Sequence, residues 1–311
     1  MCLVQKDKLF FYQKGQCCQA MGFYERCKNN VPLSTLSTFG IGGPARWLFR
    51  AKTKEDLQEA FLFVSHENCP FIVLGRGSNC LFSDKGFSGV VIQNRVETFS
   101  LASEGIFEVG GGYSFVTLGM KTANDGWSGL EYAVGIPGSV GGAVFMNAGA
   151  HKQQAADSVA WVDYLDESGN CVRMQREELM FGYRSSSFQE KKGIIVSVGF
   201  SLKKDDGASA RQQLIIEQRH KTQPYTERSA GCVFRNPPGS FAGQLIEEAG
   251  LKGKRIGGAE VSTIHANFIV NKGGATAQDV LDLVNYIREV IFNTKGVLLQ
   301  SEIRCIPSTF T

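Results

Sequence analysis

Three polar side chains stand in surroundings that make them candidates for chemistry. Arg184, in FGYRSSSF, lies in a polar turn between apolar positions. Its charge is permanent and its fork matches a carboxylate through two hydrogen bonds, although a solvated or salt-bridged arginine is the plainer reading. Cys232, in SAGCVFRNP, sits between a glycine and an apolar pair, which is also the setting of a small core residue. A thiol with a reference pKa of about 8.5 is mostly protonated at neutral pH, so it is suited to giving a proton to a developing carbanion. Glu302 falls in the terminal stretch VLLQSEIRCI, an otherwise apolar strand on which a carboxylate reads equally well as an edge residue. His220 and His265 suit phosphate binding or base chemistry, but neither has metal-ligand spacing, and no metal is assigned.

The second chemical signal is glycine. Three glycine-rich loops occur, at 40–43, 75–79 and 135–149. The last lies in YAVGIPGSVGGAVFMNAGA, residues 132–150, nineteen residues without a charge. A membrane span is excluded by its five glycines and Pro137, since a helix there loses about 1 kcal/mol at each glycine and about 3 at the proline relative to alanine. A loop system is expected instead, with glycines permitting positive φ and close approach so that backbone N–H groups converge on an anion. The alternative is a tight crossing where two elements touch through glycine. In LGRGSNCL the turn after an apolar strand adds the Ser78 hydroxyl and the Asn79 amide to such a cradle. Gly40, Gly42 and Ala45 fit the dinucleotide pattern G-x-G-x-x-A, but no strand precedes them and strand-like residues come after, so a Rossmann site is rejected.

These candidates need a scaffold, and 311 residues with 43% hydrophobic and 20% charged composition can bury the cores of two or three domains. A net charge of +3 and the lack of a basic run interleaved with aromatics argue against nucleic acid and fit small anionic ligands. Nine cysteines without a paired CxxC form neither a disulfide framework nor a zinc site, and MCLVQKDKLFFYQKGQ lacks a signal-type apolar run, so a reducing cytoplasm is expected. Residues 1–20 read as a disordered extension, with Met21 as an alternative start.

Strand, helix, strand order is expected from RWLFRAK, a helix opening at Thr53 with Asp56 at the capping-box position, and FIVLGRGSN. Short strands come next: GVVIQ, IFEVGG, VAWVDYLD, CVRM and IIVSVGFSL. After KKDDGASA come a helix over 208–222, a helix from Ser240 to about Ala249 closed by Gly250, a strand HANFIVN, and a helix opening at Thr276 with Asp279 at the capping position. The final strand VLLQSEIRCI places Gln300, Glu302 and Arg304 on one face. The division expected is 21–88, 89–205 and 206–311, with the last residues packing back on the first part.

In order, NVPLSTLSTFGIGGPA, LGRGSNCLFSD, GLEYAVGIPGSVGGAVFMNAGA, YRSSSF, KTQP with SAGCVFRNP, GGAEVSTIHANFIVN and SEIR resemble the UDP-N-acetylenolpyruvoylglucosamine reductase family over residues 30–306. The resemblance implies an α+β protein: a vanillyl-alcohol-oxidase-type (PCMH-type) FAD-binding fold of two α/β subdomains, plus a C-terminal α+β substrate domain. It implies a cytoplasmic monomer that uses FAD, takes hydride from NADPH, and passes it to UDP-N-acetylglucosamine enolpyruvate at the same site. By matching, Arg184 polarises the substrate carboxylate, Glu302 is its partner acid and Cys232 is the proton donor, where many relatives carry serine. FAD contacts fall on Ile41, Gly42 and Gly43; Gly75, Arg76, Gly77, Ser78 and Asn79; and Gly138, Ser139, Val140, Gly142, Asn147, Gly149 and Ala150. Tyr183, Lys221, Gln223, Asn236 and His265 would face the sugar nucleotide. The compact third domain resembles the type without the extra substrate-covering loop. Two other readings are another FAD oxidoreductase of this fold acting on an alcohol or hydroxy acid, its flavin tethered at His151, and a non-catalytic nucleotide-binding regulator.

Overall fold

The computed structural model describes residues 22–307; the expected N-terminal extension and the alternative start at Met21 lie outside them. The first subdomain is a four-stranded sheet. Strand β1 (Lys28–Pro32) pairs antiparallel with β2 (Pro44–Ala51), and β2 pairs in parallel with β5 (Phe87–Asn94), which pairs in parallel with β3 (Phe71–Leu74). The short β4 (Cys80–Phe82) lies between β3 and β5 in the chain. Both faces of β5 are covered, which is why its sequence VVIQN is buried without alternation. Helix α1 (Lys54–His66) covers one face and begins where expected: Thr53 accepts from Asp56 N–H, and the Asp56 carboxylate accepts from Thr53 N–H, both at 3.1 Å.

The expected boundary at 88/89 is corrected by this pairing. It cuts β5, which is bonded on both sides within the first sheet. Parallel partners lie far apart in sequence, and no local turn announces them.

The second subdomain is a five-stranded antiparallel sheet. Its spatial order is β9 (Cys171–Gln175), β8 (Val159–Leu165), β10 (Ile194–Ser201), β7 (Ile106–Gly110) and β6 (Phe99–Ser103). Helices α2 (Phe115–Asn124) and α3 (Val140–Phe145) pack on it through Phe115, Leu118, Val140 and Val144 against Val109, Val162, Val198 and Phe200. A register shift opposite Asp163 and Tyr164 changes the parity of β10. As a result Ile194 and Val196 enter the core of the first subdomain beside Phe49, Leu57 and Phe61, while Val198 and Phe200 stay in their own.

Helix α4 (Ala208–Thr222) also belongs here rather than to the third domain, which corrects the boundary at 205/206. Buried Gln212 donates to Gly119 O at 2.8 Å, and Arg211 pairs with Glu131 at 2.8 Å. The polar KKDDGASA lies inside this subdomain: Lys203–Lys204 form a short strand paired with Trp127–Ser128, and residues 205–207 are the turn into α4.

The third domain is a four-stranded antiparallel sheet ordered β11 (Arg228–Cys232), β14 (Phe268–Asn271), β13 (Ala259–Val261) and β12 (Arg255–Ile256). Helices α5 (Ala242–Glu248) and α6 (Ala277–Lys295) pack against it. The capping box at Thr276 and Asp279 opens α6, and Gly296, at φ 68°, closes it. Phe39, Ile41 and Leu81 of the first subdomain enter its core. The expected strand over 297–306 is shorter: only β15 (Arg304–Ile306) forms, in parallel with β4, while Ser301 makes an isolated bridge to Phe234. The chain bends there because it bonds first to 233–235 and then to the loop before β4.

Among the described residues no helix is long and apolar enough to cross a membrane. Residues 132–150 form a 3-10 turn (Glu131–Gly135), α3 and a short strand rather than a continuous loop.

Candidate active site

The turn Tyr183–Arg184 joins two short strands of the second subdomain, and Arg184 holds a left-handed backbone, φ 54°. Its Nε donates to Glu302 Oε1 at 2.8 Å and its Nη2 to Gly149 O at 2.8 Å. The two side chains are 21% and 16% exposed, so water competes only partly for the pair. Glu302 is held by its own backbone: its N–H donates to Val233 O at 2.7 Å, and its carbonyl accepts from the Asn79 amide at 3.2 Å. Burial pushes the Glu302 carboxyl up, and the charges of Arg184 and Arg235 offset that.

Cys232 ends β11, just past a register shift and Gly231 at φ 78°. Buried Asn267 fixes the two residues after it: the Asn267 side chain accepts from Phe234 N–H at 3.0 Å and donates to Phe234 O at 2.8 Å, while its backbone carbonyl takes Val233 N–H at 2.8 Å. Burial and the nearby Glu302 push the Cys232 thiol up to about 12, with Arg184 and Arg219 pulling the other way. The three catalytic candidates therefore converge from three separate segments. They form a permanent cation, a carboxylate that holds it, and a thiol that keeps its proton at neutral pH.

A cradle lies beside them. Among the described residues, no protein acceptor takes the backbone N–H of Gly75, Arg76, Gly77, Ser78, Gly138 or Ser139. The two loops touch: a Cβ on Gly75 would stand 2.1 Å from Ser139 Oγ, and one on Gly138 would stand 3.4 Å from Ser78 Oγ. Six unused donors on two loops that touch each other suit the diphosphate of FAD.

The other expected cofactor contacts, and the Arg76 and Asn79 side chains, have protein partners. The N–H groups of Val140 and Gly142 are bonded to Tyr113 O and Ser139 Oγ. Asn147 is fully buried, donates to Gln154 and Gly182 O, and accepts from Ala156 N–H. Gly149 holds Arg184, and Ala150 pairs with Gln153. The Asn79 amide serves Glu302 rather than the cradle. Arg76 turns outward toward Glu97, at 3.9 Å. Ile41 is buried in the core, Gly42 packs on Phe82, and Gly43 bonds Ser83 O.

Glycine permits positive φ, but within 132–150 only Asn147 adopts it. The glycines there permit close approach, as where Gly135 lies under the Arg219 guanidinium and Gly149 against Gln153 O.

Of the residues matched to the sugar nucleotide, Tyr183 and Asn236 meet directly, Asn236 N–H donating to the Tyr183 hydroxyl at 3.3 Å. Gln223 accepts from Arg219 at 2.7 Å. Lys221 is exposed on the last turn of α4. His265 Nδ1 accepts from Asn267 N–H at 3.2 Å, and burial lowers its pKa, so the ring is neutral with its proton on Nε2. Sequence reasoning missed Arg219, whose charge reaches Cys232, His151 and His265. Its signal was helical spacing: Arg211, Ile215 and Arg219 share one face of α4.

A model of the FAD binding domain matches residues 45–175, and one of the C-terminal domain of UDP-N-acetylenolpyruvoylglucosamine reductase matches 223–306. The expected α+β, PCMH-type arrangement is thus present, and the class is that of FAD-dependent oxidoreductases. A protein of Protochlamydia amoebophila named UDP-N-acetylenolpyruvoylglucosamine reductase is 51% identical over 280 residues, 90% of this chain and 94% of its own. One of Chlamydia muridarum with the same name is 46% identical over the same shares. The crystal structure of the Thermus caldophilus reductase superposes with a TM-score of 0.79 at 39% identity, covering 90% of this chain and 98% of that one. The chain belongs to the UDP-N-acetylenolpyruvoylglucosamine reductase family.

Proposed function

We propose that the enzyme reduces UDP-N-acetylglucosamine enolpyruvate to UDP-N-acetylmuramate for peptidoglycan synthesis, with NADPH as reductant and Cys232 as proton donor. One observation carries this reading: the Arg184–Glu302 pair stands beside a thiol held in its protonated form.

The 75–79 and 138–139 loops would hold FAD, which would provide the hydride chemistry at the substrate β-carbon. The two electrons of the double bond then develop as charge on the α-carbon and its carboxylate. Arg184 faces that charge; a single such donor is worth roughly 10²–10³ in rate. Glu302 keeps the guanidinium in place, so no reorganisation accompanies the step. The Cys232 S–H bond breaks, its proton goes to the α-carbon, and the sulfur retains the electron pair until solvent protonates it. Carbon is a far weaker acid than a thiol, so the transfer runs downhill even with the thiol near 12. Tyr183, Gln223, Asn236 and Arg219 line the approach and suit an anionic sugar nucleotide.

The enzyme acts in this account as a cytoplasmic monomer. The six described cysteines are all free thiols, which fits a reducing compartment. The test is product analysis. Turnover in D2O with NADPH and the enolpyruvyl sugar should give UDP-N-acetylmuramate that carries solvent deuterium at the α-carbon. Oxygen consumption driven by an alcohol, without reduction of the enolpyruvyl sugar, would overturn the reading.

A further inference from the structure

Arg235 follows Cys232 by three positions and sits among all three catalytic candidates. Its N–H donates to Gln300 O at 2.9 Å, one rung from the Glu302 N–H to Val233 O bond. Its Nη2 donates to the carbonyl of Arg184 at 3.4 Å, and the next residue, Asn236, bonds the Tyr183 hydroxyl. The stretch Arg235–Asn236 of the third domain thereby grips both residues of the turn in the second subdomain. That turn needs gripping, because Arg184 is a non-glycine residue at φ 54°, a conformation that persists only when its surroundings impose it. The Arg184 carbonyl also accepts from Gln189 at 3.2 Å, so it is held from both domains. Arg235 Nε is buried without a partner among the described residues, while the side chain as a whole is half-buried.

We propose that Arg235 is a positioning residue for the reaction, clamping the Tyr183–Arg184 turn to the segment that carries Cys232 and facing Glu302 with a second positive charge. The inference rests on the activity proposed above. The charged and titratable groups facing the Glu302 carboxylate are Arg184 on the turn and Arg235 and Cys232 on the segment opposite. Burial favours the neutral acid, and the two cations keep the carboxylate available to hold Arg184. Arginine suits both tasks because its fork can bond a carbonyl while its charge stays permanent.

The test compares Arg235→Gln and Arg235→Lys in the FAD-loaded enzyme. Reduction of the flavin by NADPH is followed separately in both variants, because NADPH and the enolpyruvyl sugar reach the flavin at the same site. Reoxidation by the enolpyruvyl sugar should fall by roughly 100-fold in Arg235→Gln, as expected for a displaced catalytic group. The acid limb of its pH profile should move up by about one pH unit. Arg235→Lys should return that limb to the wild-type position while leaving reoxidation slow, a split that general destabilisation would not produce. Wild-type reoxidation rates in both variants would overturn the proposal. Should Arg235→Gln shed FAD, Arg235→Lys decides alone, and a normal rate with lysine rules the clamp out.

One readout needs no substrate. The infrared carboxylate band that Glu302→Gln removes should titrate at higher pH in Arg235→Gln, and an unmoved titration would contradict the charge role. If wild-type enzyme is never reoxidised by the enolpyruvyl sugar, the activity fails while this band still tests Arg235.

Discussion

Arg184 donates to Glu302 at 2.8 Å across 118 positions of sequence, joining a turn of the second subdomain to the segment that leaves the third. Neither residue is rigid by local structure alone. The Glu302 backbone is fixed by Val233 and Asn79, and the Arg184 guanidinium by Gly149, so the pair closes the site between the domains. Glu302→Gln keeps the shape but removes the charge that orients Arg184. Reoxidation of the reduced flavin should slow by roughly 10²–10³-fold, with FAD absorbance intact. Stopped-flow kinetics would check this, and an unchanged rate would remove Glu302 from the mechanism.

The thiol of Cys232 should behave as an acid and not as a nucleophile. Burial and Glu302 push it up to about 12, so at pH 8 its thiolate is scarce and alkylation by iodoacetamide should be slow. Glu302→Gln removes one of the causes that raise it, and alkylation of the Cys232 peptide should quicken. Peptide mass spectrometry against time gives the rates; a fast-reacting Cys232 in the unaltered enzyme would contradict the electrostatics.

Two glycines of the cradle should fail differently. A Cβ on Gly75 meets Ser139 Oγ at 2.1 Å, so Gly75→Ala should destabilise even the FAD-free protein by about 1–3 kcal/mol. A Cβ on Gly138 meets only Ser78 Oγ, at 3.4 Å. Gly138→Ala should fold normally yet bind FAD at least about tenfold more weakly, or about 1.4 kcal/mol, because the methyl enters the cradle. Thermal melts of the FAD-free forms and a flavin titration separate the two effects.

Much of the fold was legible because it was local. The capping boxes at Thr53 and Thr276 depend on residues three positions apart, and both helices begin where expected. The placement of β5 and α4 was not legible, since parallel pairing and helix docking are settled by distant partners. Asn147 enters the expected FAD contacts only through the resemblance; within the fold its amide bonds Gln154, Gly182 and Ala156. Arg235 carried no signal, as one arginine after an apolar pair looks like any surface cation. Glu302 was ambiguous on a terminal strand, and only the resemblance pointed to Arg184 as its partner.

Glu131 gives a pH test of stability away from the reaction. It is 2% exposed, and burial favours its neutral form, but the Gly129 N–H, the Arg211 guanidinium and the Ser128 hydroxyl outweigh that and hold it below the usual carboxylate range. A depressed folded pKa contributes stability above the unfolded value of about 4.3, lost as pH falls through the folded one. Glu131→Gln should therefore cost about 1–3 kcal/mol at pH 7, with the gap narrowing in acid. Urea unfolding at both pH values would show it, and a gap that widens in acid would reverse the sign.

The central claim is that Cys232 protonates the carbon that hydride addition leaves charged. The measurement is anaerobic: reduce the bound flavin with NADPH, remove excess NADPH, add UDP-N-acetylglucosamine enolpyruvate, and follow the return of the oxidised flavin spectrum. The wild-type enzyme and Cys232→Ser should both recover it. Cys232→Ala should be reduced normally but recover at least about 100-fold more slowly. Recovery at the wild-type rate in Cys232→Ala would contradict the account.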